Sequence, residues 1–500
     1  MVFLSGGVNF YNGADKMKKI TLLLLGVIIL TACQPSIGEP TDLSQLEPPT
    51  FTDVSVHDPS IIRVGDTFYV FGSHLAVART TDFMHWEQIA RYAYGYHPMF
   101  GYAQEKFAET LLWAQSTTFW APDMIELTDG RFLFYYNACR GDSPLSAMGI
   151  ASSYSIGGPF EDLGIILKSG MWGQPSPDGT IYDPTRHPNV VDPHVFFDND
   201  ERLWMMYGSF SGGIFIMELD PETGFPFEGQ GYGQRMLGGH HLRIEGPYVI
   251  YSPTTNYYYM FLTFGGLGRN DGYNMRIMRS KRPYGPYFDA SGQDMRTVTG
   301  PPGSFFDDVT AARYGSVIMT NHQFMHVPGE PGRTMTVGGY MSPGHNSVYR
   351  DEETGRYFLI FHTRFRMSGE MHQVRVHEMF LNEAGWFVVA PHRYSGQNIL
   401  NYTKADLIGD FKYLRHERII NSDVAFSEVI SLNRNGSITG AIDGLWSFNS
   451  DYNFIDITID KVLYQGVVSH QWNEDTQTFV ITFSAMSNEG ISIWGSKVAE

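Results

Sequence analysis

Cysteine is nearly absent from this chain of 500 residues, which contains only Cys33 and Cys139. This scarcity excludes a disulfide framework and a metal site built from thiolates. Cys139 follows a predicted strand at residues 132–136, where we expect a half-buried small apolar side chain. Basic residues are also scarce, since 35 Lys and Arg stand against 53 Asp and Glu and the formal net charge is −18. A phosphate backbone requires a basic face, so the composition argues against nucleic-acid binding.

Long hydrophobic runs are missing as well. The apolar run at residues 20–30 is too short to span a bilayer as a helix. Two lysines precede it, and it ends in Leu-Thr-Ala-Cys, with Cys33 last. This order is typical of a secretory signal, and the last four residues resemble the bacterial lipobox. We therefore predict a lipoprotein signal at residues 1–33, with residues 1–16 as an over-extended start before Met17. A plain signal peptide is the alternative.

Helical periodicity is scarce, whereas Gly (53) and Pro (26) are abundant, as expected for many strands joined by turns. We interpret residues 34–53, rich in Pro, Ser, Glu and Thr, as a flexible linker. The strand pattern then predicts a first domain at residues 54–395. After Pro391 the pattern changes, and a new set of strands predicts a small antiparallel β-barrel or sandwich at residues 396–500. Structural support is its expected role, with carbohydrate contact as the alternative.

One unit recurs five times in the first domain. Each copy begins with a short apolar strand beside a proline or glycine, and a strand rich in aromatic residues follows. The five copies begin at residues 57–61, 120–124, 191–195, 244–248 and 344–348. Repetition at this scale predicts an all-β propeller or array. In the long interval between the last two copies we expect one full blade and an insertion at residues 292–339.

Three carboxylates, Asp58, Asp192 and Glu245, occupy the same place in three of the copies. Aspartate before proline is common in turns, so each of them alone is interpreted as a turn residue. A charge on an apolar strand is costly, and three in register therefore indicate a functional set. Glycoside hydrolysis needs a protonated carboxyl group and an ionised one. Asp123 falls further along its strand, where we expect it to cap its blade.

Five segments carry a resemblance to a known family: His57–Ile61, Trp120–Asp123, Asn189–Pro193, Gly208–Phe210 and Ile244–Pro247. Together they resemble glycoside hydrolase family 43, and in particular its two-domain extracellular bacterial endo-α-1,5-L-arabinanases, over residues 54–500. The resemblance implies a five-bladed propeller followed by a barrel. It also implies hydrolysis of internal α-1,5-L-arabinofuranosyl linkages of arabinan with inversion. Asp58 would be the general base, Glu245 the general acid, and Asp192 the acid that orients Glu245 and raises its pKa.

The same resemblance implies one calcium ion at the propeller hub, held by His345 and mostly by water. Calcium prefers oxygen ligands, so composition alone does not suggest this site. The resemblance further implies contacts with substrate from Asp58, Trp120, Gly141, Asn189, Asp192, Ser209 and Phe210. Trp120 is equally consistent with a core residue. The loop around Gly141 departs from the small, Ser-rich pattern of the family, and the Trp that often follows Phe in the family is missing after Phe210.

These interpretations predict an enzyme that acts on arabinan or other pectic side chains. We expect no nucleic acid, a membrane contact only through a lipid anchor at Cys33, and a monomer at the cell surface or outside the cell. Catalytic residues do not separate endo action from an exo-acting arabinofuranosidase or β-xylosidase of the same family, because blade loops decide whether the cleft is open. A non-catalytic glycan-binding lipoprotein is the alternative from another class, and the intact acids argue against it.

Overall fold

The computed structural model describes residues 38–332 and 339–499 of the chain. The predicted signal segment and Cys33 lie outside the described residues. From Gly38 onward the chain forms one compact unit. Within the two described ranges, no helix combines the length and the apolar character needed to cross a bilayer.

Five sheets follow one another along the chain and form a five-bladed propeller, as the family resemblance implies. Blade one contains β1 (Ser60–Val64), β2 (Thr67–Gly72), β3 (Ala76–Thr80) and β4 (Glu87–Ala90). Blade two contains β5 (Asp123–Glu126), β6 (Phe132–Cys139), β7 (Ser146–Ser153) and β8 (Glu161–Lys168). Blade three contains β9 (His194–Phe197), β10 (Leu203–Tyr207), β11 (Ile214–Leu219) and β12 (Gln234–Leu237).

The last two blades are longer. Blade four contains β13 (Ile244–Ser252), β14 (Tyr257–Phe264), β15 (Asn274–Ser280) and β16 (Ser316–Met319). Blade five contains β17 (His322–Gln323), β18 (Tyr340–Arg350), β19 (Tyr357–Phe365), β20 (His372–Leu381) and β21 (Phe387–Val389), and it pairs at one edge with β23 (Ala425–Phe426). The inner strands β1, β5, β9, β13 and β18 contact one another in a closed ring around the axis.

The middle strands of the blades are apolar along their whole length. All eight residues of β6 are buried, and so are all residues of β14 after Tyr257. Because neighbouring blades cover both faces of such a strand, both sets of alternating side chains lie in the core. Short helices lie in the connections: α1 (Ala103–Lys106), α2 (Ala108–Ala114) and α3 (Asp308–Ala311). Cys139 is the last residue of β6 and is fully buried, so the expectation of a half-buried residue after the strand was wrong.

The predicted insertion at residues 292–339 is only partly a loop. Strand β16 lies inside it and pairs with β15, so this segment supplies the outer strand of blade four. Strand β17 also lies inside it and begins blade five by pairing with β18. The sequence prediction therefore placed the outer edge of one blade and the start of the next in an insertion. The connection between β15 and β16 carries α3 and two exposed phenylalanines, Phe305 and Phe306.

The C-terminal domain is a closed antiparallel barrel rather than a sandwich. Its strands are β22 (Gly409–His416), β24 (Glu428–Leu432), β25 (Ser437–Gly440), β26 (Gly444–Asn449), β27 (Phe454–Ile459), β28 (Val462–Asn473), β29 (Thr478–Ser487) and β30 (Ser492–Lys497). Strands β22 and β26 were missed in the sequence. The barrel packs on blades four and five: Leu414 and Trp494 share a buried cluster with Ile318 of blade four and Phe387 of blade five. The predicted boundary at residue 395 falls between β21 and β22.

Candidate active site

The inner strands share a local backbone feature at the end of the propeller where the acids lie. Asp58, Asp192, Gly246 and His345 all have positive φ, between 46° and 60°. Asp58 and Asp192 each stand two residues before an inner strand, and Glu245 precedes Gly246 in β13. The left-handed conformation is costly for residues other than glycine and persists where the surroundings impose it. The repeat thus turns three equivalent side chains toward one axis.

Asp58 lies in a ring of hydrogen-bond donors. Its carboxylate accepts bonds from Ser73 Oγ and from His57 Nδ1, the latter at 2.7 Å, and His345 Nδ1 lies 3.2 Å from its other oxygen. The side chain is buried. Burial raises the pKa of Asp58, but the neighbouring imidazoles of His345 and His57 outweigh burial and hold it well below its usual range. Asp58 is therefore ionised at neutral pH.

Two of the histidines near Asp58 have lowered pKa values. Burial lowers the pKa of His345, and it lowers that of His362 well below the usual value. The backbone N–H of Asp58 donates to His362 Nδ1 at 3.1 Å, which places the proton of that ring on Nε2. The negative charge of Asp58 opposes burial by raising the pKa of both rings.

Glu245 is also buried, and each of its carboxyl oxygens has one donor. Ser209 Oγ lies 2.7 Å from Oε2, and the Tyr273 hydroxyl lies 2.8 Å from Oε1. Burial raises the pKa of Glu245, the two hydrogen bonds lower it, and the negative charge of Asp58 raises it, with a result of about 7. Glu245 can therefore carry a proton at neutral pH and release it.

Asp192 lies next to Glu245. Its Oδ2 accepts a hydrogen bond from Gly246 N at 3.3 Å. Burial, and then the negative charges of Glu245 and Asp58, raise the pKa of Asp192 well above its ordinary value. The pKa values of both carboxyl groups are therefore raised, which favours a protonated form of the pair. An ionised carboxylate beside a protonated pair supplies the two states that glycoside hydrolysis requires.

Two glycines allow this arrangement. A Cβ on Gly344 would lie 2.3 Å from the Tyr273 ring, and a Cβ on Gly246 would lie 3.2 Å from the ring of His345. Any larger residue at 344 would push Tyr273, and with it the donor to Glu245. Packing therefore requires glycine at positions 246 and 344, which the sequence pattern alone does not reveal.

Asp123 has a different environment from the other acids. It is buried and accepts hydrogen bonds from Val195 N at 2.6 Å and from Ser60 Oγ, and His194 Nδ1 lies 3.2 Å away. These partners belong to β1 and β9, on the blades that flank its own. Asp123 thus connects the inner strands of three blades.

The remaining predicted substrate residues lie in varied surroundings. Ser209 bonds Glu245, and Phe210 lies edge to face with Phe306, with ring centroids 5.5 Å apart. Asn189 is buried, and its Oδ1 accepts a bond from Ser146 Oγ at 2.7 Å. Trp120 is half-buried. Gly141 lies in an exposed turn, where an added Cβ would have open space around it.

Sequence reasoning missed four residues that contact the acids: His57, Ser73, Tyr273 and His362. His57 stands beside Asp58 in the repeated motif, so its position was a usable signal. The other three come from strand ends or from another blade, and only the folded chain brings them to the acids. The Cys139 thiol lies 3.6 Å from Asn189, and burial raises its pKa to about 12, so it stays a protonated, unreactive thiol.

The hub also contains polar atoms that could accept a bound ion or water. His57, Asp58 and His362 offer ligand atoms within 4.8 Å of one another. Next to His345, the side-chain amide of Asn346 and the hydroxyl of Ser347 are buried without a hydrogen-bond partner, and so is His362 Nε2. Buried polar groups of this kind are normally satisfied by water or an ion. The amide and carboxylate oxygens, together with water, fit the oxygen preference of calcium.

Comparisons with known proteins place the chain in a family. A family model described as glycosyl hydrolases family 43 matches residues 50–311, and one described as a C-terminal lipocalin-like domain matches residues 391–495. The chain is 51% identical to extracellular endo-alpha-(1->5)-L-arabinanase 2 of Bacillus subtilis strain 168, over 90% of this chain and 94% of that protein. It is 45% identical to an extracellular endo-alpha-(1->5)-L-arabinanase of Thermotoga petrophila, over 91% of this chain and 96% of that protein.

Solved structures agree with these matches. The crystal structure of the family 43 YxiA protein from Bacillus licheniformis superposes with a TM-score of 0.87 at 51% identity and covers 90% of this chain and 100% of that one. The endo-1,5-alpha-L-arabinanase from Thermotoga petrophila gives a TM-score of 0.85 at 45% identity, with the same coverage. The chain therefore belongs to glycosyl hydrolase family 43 and is an enzyme of that family with a propeller and a C-terminal barrel.

Proposed function

We propose that this protein is an extracellular endo-arabinanase that hydrolyses internal α-1,5-L-arabinofuranosyl linkages of arabinan with inversion. The observation that carries the proposal is a group of three buried carboxyl groups, in which the pKa of Asp58 is lowered and the pKa values of Glu245 and Asp192 are raised. Two relatives that are named extracellular endo-arabinanases, at 51% and 45% identity over most of the chain, support the substrate and the location.

In the proposed mechanism, Asp58 is the general base. It accepts a proton from a water molecule as that water attacks the anomeric carbon. His57, Ser73 and His345 hold the carboxylate in one orientation and keep it ionised. Inverting enzymes keep the base and the acid about 6.5–9.5 Å apart, which leaves room for the water. In this mechanism the imidazoles of His57 and His345 position Asp58 and transfer no proton themselves.

Glu245 is the proposed general acid. It donates its proton to the glycosidic oxygen as the bond to the leaving sugar breaks. Asp192 repels the Glu245 carboxylate and so favours the protonated form of the pair. Ser209 and Tyr273 fix the rotation of the carboxyl group through its two oxygens. We further propose that Trp120, Asn189, Phe210 and the turn at Gly141 border the bound chain.

Hydrolysis of debranched linear arabinan tests the function when products are resolved by size and by anomeric configuration. Oligomers of mixed length early in digestion are expected, with the inverted anomer released first. Release of arabinose alone would instead indicate an exo-acting arabinofuranosidase, and release of xylose from xylo-oligosaccharides a β-xylosidase. Asp58→Asn and Glu245→Gln are expected to remove hydrolysis while the melting temperature stays near that of the wild type. Normal activity in both variants would assign catalysis to other residues and contradict these roles. Binding of arabinan without hydrolysis by the wild type would instead support a non-catalytic glycan-binding protein.

We also propose that one calcium ion binds at the hub, with His345 as its protein ligand and water as most of the others. The unpaired polar atoms of Asn346, Ser347 and His362 would hold those waters. When bound, calcium would supply a positive charge beside Asp58. Calorimetric titration of EDTA-treated protein with calcium tests this without an activity assay. Saturable binding that is lost in His345→Ala is expected, and equal binding in both proteins would contradict it.

A lipid anchor at Cys33 and a monomeric state complete the proposal. Cys33 lies outside the described residues, so the argument rests on the sequence of the signal segment. Expression of the full chain with labelled palmitate tests the anchor, because the label should appear in the wild type and be absent from Cys33→Ser. Palmitate label in neither protein would favour a plain signal peptide.

Light scattering of the chain from residue 38 onward tests whether the protein is a monomer.

A further inference from the structure

The segment from residue 91 to 102, which connects β4 to α1, exposes four tyrosines to solvent. The exposed fractions are Tyr92 60%, Tyr94 57%, Tyr96 71% and Tyr102 58%. Between Tyr92 and Tyr102 there is no Asp, Glu, Lys or Arg, although these residues make up 18% of the chain. Large apolar groups exposed together usually mark a binding surface. We call these four residues the tyrosine platform.

The backbone beneath the tyrosine platform is firmly held. Ala93 and His97 are buried between the exposed tyrosines. The N–H and C=O groups of His97 and Gly101 bond each other at 2.7 and 2.8 Å. The His97 ring bonds the carbonyl of Leu75 through Nε2 at 3.0 Å and accepts a bond from Met99 N at 3.2 Å. The tyrosines are thus presented by a fixed segment, which reduces the entropy lost on binding a ligand.

The register of blade one places this segment on the same end of the propeller as Asp58. Ser60 pairs with Phe71, Phe71 with Val77, and Val77 with Ala90, which immediately precedes the segment. Neighbouring strands lie about 4.8 Å apart, so three steps put Ala90 about 14 Å from Ser60. The tyrosine platform therefore begins at the same end of the propeller as Asp58, about 14 Å across blade one from Ser60. A sugar ring at the bond being cut does not reach that far.

Contacts along the chain connect the two places. Leu75, which accepts the bond from His97, stands two residues after Ser73, which donates to Asp58. His74 N between them bonds the carbonyl of Phe119, which directly precedes Trp120. A chain of buried hydrogen bonds thus links the segment beneath the tyrosine platform to Asp58 and fixes the position of one relative to the other.

We propose that the tyrosine platform binds a neutral polysaccharide chain at a distance from the cleaved bond, which gives the enzyme a preference for long chains. This inference rests on the proposed function for the identity of the chain. Tyrosine combines an apolar ring, which can stack on the C–H face of a sugar, with a hydroxyl that can bond sugar hydroxyls. It also offers a large rigid contact area with few rotatable bonds. The absence of charge between Tyr92 and Tyr102 argues for a neutral glycan rather than a uronic-acid polymer.

Binding to soluble linear arabinan in an affinity gel tests the proposal. Tyr94→Ala, Tyr96→Ala and their double variant are compared in an Asp58→Asn background, so that the polymer is not degraded. The double variant loses the stacking of two rings and should bind arabinan about tenfold or more weakly. Tyr452→Ala, a 68% exposed tyrosine on the barrel, is the matched control and should bind like its parent. Unchanged affinity in the double variant with an unchanged melting temperature overturns the proposal.

Kinetics in the catalytically intact background separate this inference from the proposed function. The KM for polymeric arabinan should rise more than the KM for an arabinotriose, because the short substrate cannot reach from Asp58 to the tyrosine platform. Equal changes for both substrates overturn the proposal. If the wild type fails on arabinan but binds another neutral polysaccharide through Tyr94 and Tyr96, the proposed function fails and the platform stands. A change of oligomeric state in the double variant would instead assign the surface to a second copy of the chain and overturn the proposal.

Discussion

Tyr273 donates its hydroxyl to Glu245 Oε1 at 2.8 Å, from a position that no pattern in the sequence marks. This bond lowers the pKa of Glu245, whereas burial raises it, and the pKa comes to about 7. The same tyrosine packs against Gly344, on the inner strand of the next blade. One side chain thus connects the protonation of the proposed acid to the packing of two blades.

The first prediction concerns the pH dependence of Tyr273→Phe. A general acid must be protonated, so kcat/KM should fall as the pH rises through about 7, the pKa of Glu245. Removal of the Tyr273 hydroxyl takes away a bond that favours the ionised carboxyl group, so the pKa of Glu245 should rise. The basic limb of the pH profile should therefore move to higher pH. Tyr251→Phe, which loses a bond to Asn256 on the same blade, should leave the limb in place. A limb that moves to lower pH would contradict the assignment.

The second prediction separates the acid from the base. Glu245→Gln should reduce kcat on arabinan by roughly 10²–10⁴-fold, because the leaving oxygen then departs without a proton. An arabino-oligosaccharide with a nitrophenolate leaving group needs no such proton, so this substrate should restore most of the rate. Asp58→Asn should be equally slow on both substrates, since it lacks the group that activates water. Rescue of Asp58→Asn rather than Glu245→Gln would exchange the two roles.

The third prediction tests the glycine that accommodates Tyr273. In Gly344→Ala the new Cβ would lie 2.3 Å from Tyr273 and 2.6 Å from Thr263 Cγ2, so the tyrosine ring must move. Overpacking of this kind costs about 1–3 kcal/mol of unfolding free energy. We also expect a lower kcat and a shifted basic limb, as in Tyr273→Phe. Gly157→Ala, where the Cβ would make an ordinary 3.7 Å contact, is the control. An unshifted pH profile in Gly344→Ala would show that packing at Gly344 does not affect the pKa of Glu245.

The fourth prediction concerns a buried ion pair that joins the barrel to the propeller. Lys412 Nζ lies 2.8 Å from Glu330 Oε1, both side chains are buried, and the backbone N–H of Ala499 donates to the same oxygen at 3.1 Å. Removal of one buried partner leaves an uncompensated charge and costs roughly 3–5 kcal/mol. Glu330→Ala should therefore lower the melting temperature and loosen the barrel, measured by limited proteolysis.

Glu87→Ala serves as the control for this pair. It breaks the exposed ion pair with Arg79 on blade one, where contributions of about 0–1 kcal/mol are usual. A melting temperature for Glu330→Ala close to that of Glu87→Ala would show that the buried pair contributes little to domain docking. The barrel would then be held by the apolar cluster around Trp494.

Two strands of the barrel, β22 and β26, could not be predicted from the sequence pattern. Strand β22 contains Lys412, whose charge favours an exposed position in any pattern of alternating polarity. In the fold Lys412 is buried because Glu330, from the segment after β17, neutralises it. Strand β26 carries the exposed Leu445 beside the buried Trp446. Its position between neighbouring strands is defined only in the closed barrel. A partner that lies far away in the chain leaves no trace in the local pattern.

The sequence by itself determined the repeat, and with it the propeller and the three carboxylates. The repeat can be recognised because a similar apolar strand recurs in each copy, and four of the five copies also share a residue with positive φ, as at Asp58 and Asp192. The tertiary structure decided the chemical state of those acids. The pKa of Asp58 is lowered by His345 on another blade, and Glu245 takes its donors from Ser209 and Tyr273. Burial and charge at a buried site depend on neighbours that only folding brings together.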